Sequence, residues 1–169
     1  MTDRAANARA QWEAEIPGLN LLPMELLGRM TEASQLIRAT FLYPVFNQFG
    51  LKPGEVDVLM TLRRSGPPYA LTPTELYNST MISSGGMTAR LDRLEKAGLI
   101  VRMPHETDRR AVRISLTDDG RDLIDRMLPL HVAAQRQAVA GLSDAEQRAL
   151  ADLLAKLLQE VSAEGRNNK

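Results

Sequence analysis

The sequence predicts a mainly α-helical fold with one small β-hairpin, and three observations carry that expectation. Apolar residues recur at three- and four-residue spacing over most of the chain. Two-residue alternation is confined to one short stretch, Val112, Ile114 and Leu116 against Arg113 and Ser115. Helix start and stop signals fall between the periodic segments: Thr72-Pro73-Thr74-Glu75, Gly98, Thr117 and Ser143-Asp144-Ala145-Glu146.

Taken in order, Thr2 to Glu15 reads as a helix with Ala5, Ala8, Trp12 and Ile16 on one stripe, broken by Pro17-Gly18. Met24 to Phe49 is a long helical pattern in which Pro44 should kink or split the helix, because proline lacks the N–H that the preceding turn needs. Pro53 opens a third helix that runs to about Arg64, and Gly66-Pro67-Pro68 ends it. Tyr69 to Leu71 has room for a stub strand only. Thr72 and Glu75 form a capping box around Pro73, starting a short helix to about Asn78. After the hairpin, Thr117 caps a helix with Asp118 and Asp119 in its first turn, the sign that the helix dipole favours, with Pro129 as a kink before about Ala140. Ser143 and Glu146 cap the last helix, and GRNNK at the terminus is expected to be disordered. These segments predict one compact unit: an N-terminal helical part (1–50), a central part (51–117) and C-terminal helices (118–169).

The stretch from Ile82 to Leu116 organises the rest. Met87, Leu91 and Leu94 form an apolar stripe, Ser83 or Ser84 offers an N-cap oxygen, and Gly98 stands where a C′ glycine would stop the helix. Ile100 to Met103 and Val112 to Leu116 then read as two strands joined by a tip that carries His105, Arg109 and Arg110. A helix followed by a basic-tipped hairpin is the plan of a winged helix-turn-helix: the helix enters the major groove of duplex DNA and the wing follows the backbone or minor groove. On the helical wheel Gly85, Gly86, Ala89 and Arg93 point away from the stripe, with Ser84 and Thr88 on a flank. Ser83, Ser84, Thr88, Ala89 and Arg93 are therefore the candidate groove-facing set, able to meet base edges, phosphates or a thymine methyl. Arg109 and Arg110 suit a narrow minor groove or phosphate. The competing use of these residues is plain: a loosened helix start, a cap and a solvated turn.

Composition bounds the alternatives. The chain has 169 residues, 44% hydrophobic, enough for a real core. It has no cysteine, which excludes thiol-based redox sensing and fits a cytoplasmic protein. No long apolar run suggests a membrane span or a secretory leader. Net charge is zero, but from Ser79 to Arg113 seven basic residues face four acidic ones, whereas from Ile114 onward seven face nine. The basic surplus lies on the proposed DNA-binding part. With two histidines, no HExxH, no nucleophile elbow and no phosphate-binding glycine loop, an enzyme or a metal site is not expected.

The run LxRLEKxGLI, then DRRAVRISLT and a glycine-containing helix start, resembles the MarR family of bacterial transcriptional regulators. That resemblance implies a winged helix-turn-helix joined to a helical dimerisation region built from both termini. It implies a homodimer that binds a pseudo-palindromic duplex operator, as a repressor in most cases. A finer resemblance rests on Trp12, Asp57, Arg90 and Arg102. Arg90 stands at the edge of the buried stripe, where most members carry an aliphatic residue. The intervals of 33 residues from Asp57 to Arg90 and 12 from Arg90 to Arg102 match the urate-responsive branch, whose pocket uses a Trp on an extra N-terminal helix, an Asp and two Arg. The implied effector is a small flat anion such as urate: an indole covers its face, guanidinium groups neutralise it and a carboxylate accepts its N–H protons. Another organic anion or a phenolic compound could use the same groups. The alternatives are a structural ion pair between Asp57 and Arg90 with Trp12 as a helix anchor, and, from another class, a winged scaffold for protein interaction.

Overall fold

The computed structural model describes residues 3–80, 86–104 and 112–167. Helix α1 (Arg4–Glu15) packs along α2 (Leu22–Ile37). The helices approach closely because Gly28 faces Ala5: a side-chain carbon on Gly28 would lie 3.0 Å from the Ala5 methyl. Charge pairs then lock the two helices, with Arg9 and Arg29 each 2.6–2.7 Å from the buried Glu25 and Arg29 also on Asp3, the residue that caps α1.

The predicted long helix is split, and the proline explains how. It starts two residues earlier than expected, at Leu22, and widens into a π-helical turn over Arg38–Leu42 before α3 (Tyr43–Gln48). The N–H of Tyr43 bonds the Arg38 carbonyl, five residues back. Pro44, with no N–H to give, follows at once, so the π turn absorbs the break without a loop.

Helix α4 (Pro53–Arg64) is the centre of the core: Val58, Leu59 and Leu62 are fully buried. The stub strand β1 (Ala70–Leu71) and helix α5 (Pro73–Ser79) follow, and α5 starts with the expected capping box, Thr72 N–H to Glu75 Oε2 at 2.8 Å and Glu75 N–H to Thr72 Oγ1 at 3.2 Å. Helix α6 (Met87–Lys96) begins later than the sequence reading allowed. Its N-cap position is Gly86, at φ +81°, not Ser83 or Ser84, which lie outside the described residues. Glycine adopts this left-handed conformation freely, so the chain turns into the helix there without a side-chain cap. At the other end Gly98 (φ +72°) closes a Schellman motif, its N–H on Glu95 O and that of Leu99 on Leu94 O.

Strands β2 (Ile100–Pro104) and β3 (Val112–Leu116) pair antiparallel, and β1 pairs on the other side of β3, giving the order β1-β3-β2. Ile100, Ile114 and Leu116 turn into the core with Leu76, Leu91 and Leu94. Helix α7 (Asp118–Ala138) starts on Thr117, whose hydroxyl accepts the Gly120 N–H at 3.0 Å and donates to Gly98 O at 2.7 Å. Its inner face, Ile124, Met127, His131 and Ala134, completes the core against α3 and α4. Pro129 lies inside α7, which continues past it.

Helix α8 (Asp144–Asn167) starts on the expected Ser143–Glu146 box and runs further than the sequence reading placed it, through the first part of the terminal GRNNK. Among the described residues no other element packs extensively on α8, and Leu150, Leu153, Leu158 and Val161 stand exposed along it.

Candidate nucleic-acid interface and effector cleft

Helix α6 is held from three sides, and each hold comes from a residue at a specific point on its wheel. Leu91 and Leu94 are buried beneath it, as the apolar stripe required, with Met87 partly buried. Thr88 and Ala89 face solvent, so the small, uncharged part of the groove-facing set is free to approach a duplex. Ser83, Ser84, Arg109 and Arg110 lie outside the described residues, and the wing is described only up to Pro104 and from Val112.

Arg93 lies on the exposed side of α6, as the wheel has it, but it is tied to a neighbouring helix. It is 45% exposed, and its Nε donates to Glu55 Oε1 at 2.6 Å. Glu55, only 7% exposed, also accepts the Lys52 N–H at 2.8 Å, so one buried carboxylate caps α4 and grips α6. Sequence reasoning missed Glu55. Its signal was there: an acid two residues after a helix-opening proline, at N3, where a capping carboxylate belongs.

Arg90 is half-buried and lies over Gly54 in the first turn of α4, where an added side-chain carbon would sit 2.4 Å from the Arg90 Nε. Asp57 is one turn further along the same helix. Arg90 thus meets the first turn of α4, and Asp57 follows Gly54 by three residues on that helix, where it lines a cleft toward α3 and α7. Arg102 goes elsewhere. Its guanidinium bonds Asp92 at 2.6 Å and also Glu95, and its N–H reaches Glu95 Oε1 at 3.3 Å. Both acids are on α6, so Arg102 ties the wing strand β2 to that helix, and these bonds hold its guanidinium strongly protonated. Trp12 is placed apart as well. It lies on α1, 46% exposed, on an element that packs on α2.

A cleft of about 470 Å³ opens between α3, α4 and α7. Phe46, Val56, Met60, Ile124 and Leu128 make it apolar, while Asp57, Arg63, Asp125 and His131 supply polar groups. Asp57 is the one member of the predicted ligand set that lines it. Arg63 and Asp125 satisfy each other through two hydrogen bonds of 2.7 and 3.2 Å, which hold the Asp125 carboxyl below the usual range. His131 was not foreseen as a site residue. It is buried and stacked on Phe46 with ring centres 5.5 Å apart, and its Nδ1 has no hydrogen-bond partner among the described residues. Burial pushes its pKa below the ordinary histidine value, so near neutral pH it is an uncharged imidazole able to accept or donate one hydrogen bond.

A winged unit with an exposed helix face, flanked by long helices and an apolar cleft, has close relatives. The model of the MarR family matches residues 49–111. The HTH-type transcriptional regulator PecS of Dickeya dadantii (strain 3937) is 43% identical over 147 residues, which cover 87% of this chain and 88% of PecS. The chain belongs to the MarR family. It is a transcriptional regulator and not an enzyme.

Solved MarR-type structures agree in fold. Sco3205 of Streptomyces coelicolor, a MarR regulator solved in complex with DNA, superposes with a TM-score of 0.73 at 27% identity, covering 83% of this chain and 92% of that one. BpsR of Bordetella bronchiseptica, whose DNA binding is regulated by 6-hydroxynicotinic acid, superposes at 0.65 with 28% identity, covering 76% and 89%. The mainly helical fold with a three-stranded wing is the one this MarR chain adopts. No helix among the described residues is long and apolar enough to cross a membrane.

Proposed function

We propose that this MarR protein is a homodimeric repressor whose hold on a pseudo-palindromic operator is weakened by a small, flat anion such as urate. The observation that carries the reading is the position of the first turn of α4. On one side, Pro53, Val56 and Asp57 line the cleft; on the other, Gly54 and Glu55 touch Arg90 and Arg93 of α6. A ligand that reorganises charge around Asp57 acts on the same turn that supports the groove-facing helix. Coupling follows if the liganded cleft favours an α6 orientation that the groove does not accept.

Several features support the chemistry. The apolar walls suit a flat ring, and Asp57 with the unpartnered His131 Nδ1 can meet its polar edge. Arg90, beside Gly54, supplies a nearby positive charge. BpsR, regulated by a hydroxylated pyridine carboxylate, gives a precedent for a flat heteroaromatic anion among the relatives. Arg102 would join only by leaving Asp92 and Glu95, and Trp12 only if a second protomer or a moved α1 brings it to the cleft. The dimer reading rests on the uncovered α8 stripe together with exposed Leu22, Leu26, Leu27 and Leu36 on α2. Two winged units would then span half-sites about 10 bp apart.

The apolar lining favours a second reading within the same class, a phenolic or aromatic acid with fewer polar atoms than urate. Titrating the operator complex with urate, xanthine, salicylate and citrate, followed by gel shift, separates the two. Urate is expected to release the DNA, and operator DNA to weaken urate binding by the same factor, roughly 5- to 150-fold for a coupling of about 1–3 kcal/mol. Asp57→Ala is expected to blunt release while leaving operator affinity nearly intact. Release of an Asp57→Ala, Arg90→Ala double variant as readily as wild type would show that this turn is not the switch.

A further inference from the structure

The buried carboxylate between α4 and α6 has a use beyond packing. We propose that Glu55 is a positioning residue for DNA recognition: it fixes the Arg93 guanidinium so that the terminal nitrogens of Arg93 meet a phosphate bordering the groove that receives α6. The proposal rests on the reading that α6 enters the groove.

The geometry assigns each atom a role. Glu55 is almost wholly buried, and a buried carboxylate is tolerated only when its oxygens are used. Oε2 takes the Lys52 N–H and Oε1 takes Arg93 Nε, at 2.8 and 2.6 Å. The bond to Arg93 uses the inner edge of the guanidinium. The side chain is nonetheless 45% exposed, so its outer part reaches solvent. Arg93 lies one helical turn beyond Ala89 and five residues beyond Thr88, the other two described members of the groove-facing set, both exposed. A planar guanidinium held at Nε is already aligned to give its remaining N–H groups to a phosphate, and it loses less freedom on binding than an unrestrained arginine. The partner of Glu55 is also specific to its place. Arg90, one turn earlier on α6, lies over Gly54 instead. The two arginines of α6 that touch α4 therefore do different work, one over the turn that carries Asp57 and one toward the DNA flank.

The test uses the full-length protein and a duplex that the protein itself selects from a random pool. Binding is measured across a salt series for wild type, Glu55→Gln, Arg93→Gln and the double variant, with thermal stability recorded for each. Arg93→Gln is expected to lower the slope of log K against log salt by about 0.9, the signature of one lost phosphate contact. Glu55→Gln is expected to weaken binding about tenfold when Arg93 is present and hardly at all when it is absent, since the loss acts through Arg93. A merely structural Glu55 would lower the melting temperature and leave the salt slope and the cycle additive; that result overturns the proposal. So does an unchanged slope in Arg93→Gln. If Glu55→Gln does not fold, Arg93→Lys carries the test: it keeps the charge but loses the fork held at Nε, and is expected to keep most of the slope while losing affinity. Wild-type affinity in Arg93→Lys overturns the proposal equally. Failure of wild type to bind any duplex at low salt would instead sink the groove reading itself.

Discussion

The winged centre and the terminal helices of this chain are built on opposite terms. Around α4 the protein satisfies itself: Leu59, Leu62 and Leu76 are fully buried, and Leu94 is nearly so. Along α8 it does not: Leu153 and Leu158 are 65% and 66% exposed, on a helix 24 residues long. An apolar stripe that long cannot favour a helix in water unless something covers it. On the dimer reading proposed above, stability and assembly are written into different segments and can be broken separately.

The largest effect is expected on α8. Replacing Leu153 and Leu158 by Glu should halve the mass seen in sedimentation and cut operator affinity by about 10²- to 10⁴-fold, because two half-sites would no longer be bound by one particle. Thermal unfolding of the winged part should then persist at lower temperature. An unchanged mass would mean that α8 is covered in some other way.

Next comes the core. Leu59→Ala should cost about 2–5 kcal/mol of stability, read from chemical denaturation, through lost burial and the cavity left in a site that cannot collapse. The mass of the folded fraction should not change. Were this variant to dissociate rather than unfold, the division between the two regions would be false.

The smallest effect marks the border between the regions, at His131. Its folded-state pKa lies below the ordinary value because of burial, so the unfolded chain binds the proton more readily. The penalty is absent above the ordinary histidine pKa and grows as pH falls through it toward the folded value. Wild-type melting temperature is therefore expected to drop on acidification from neutrality, and His131→Gln to flatten that drop. Asp57, Arg63, Arg64 and Asp125 line the same cleft, so the comparison is made at equal ionic strength. A drop of equal steepness in both proteins would assign the acid sensitivity to other groups.

What was legible in the sequence follows the range over which each feature is encoded. The capping boxes at Thr72 and Ser143 and the Gly98 stop need only four or five neighbouring residues, and each formed as read. The second wing strand was placed by its alternation, and the first, read as Ile100 to Met103, ends one residue later. The start of α6 was misread because two serines looked like caps while Gly86 could turn the chain later, at positive φ. Arg90 was singled out by its place at the edge of the apolar stripe, and the fold sets it over Gly54 at the start of the helix that carries Asp57. Arg102 and Trp12 were not legible to that degree. Asp92 and Glu95, three apart on one face of α6, compete for Arg102, and the position of α1 depends on its salt links to α2. Those choices are made by tertiary contacts that no local pattern records.

The joint at the foot of α7 has a mechanical consequence. A side-chain carbon at Gly120 would fall 2.0 Å from the Leu99 carbonyl oxygen, so backbone there meets backbone with nothing between. With Thr117 bonded to both Gly98 and Gly120, this end of α7 cannot swivel on the wing. A helix of 21 residues is about 30 Å long. A tilt of about 10° at its far end then moves the wing by about 5 Å, more than the roughly 3.4 Å by which each base pair advances along the duplex axis. In the dimer proposed above, α7 would act as a rigid lever arm, and a slight change of angle between two protomers would become an error of register on DNA.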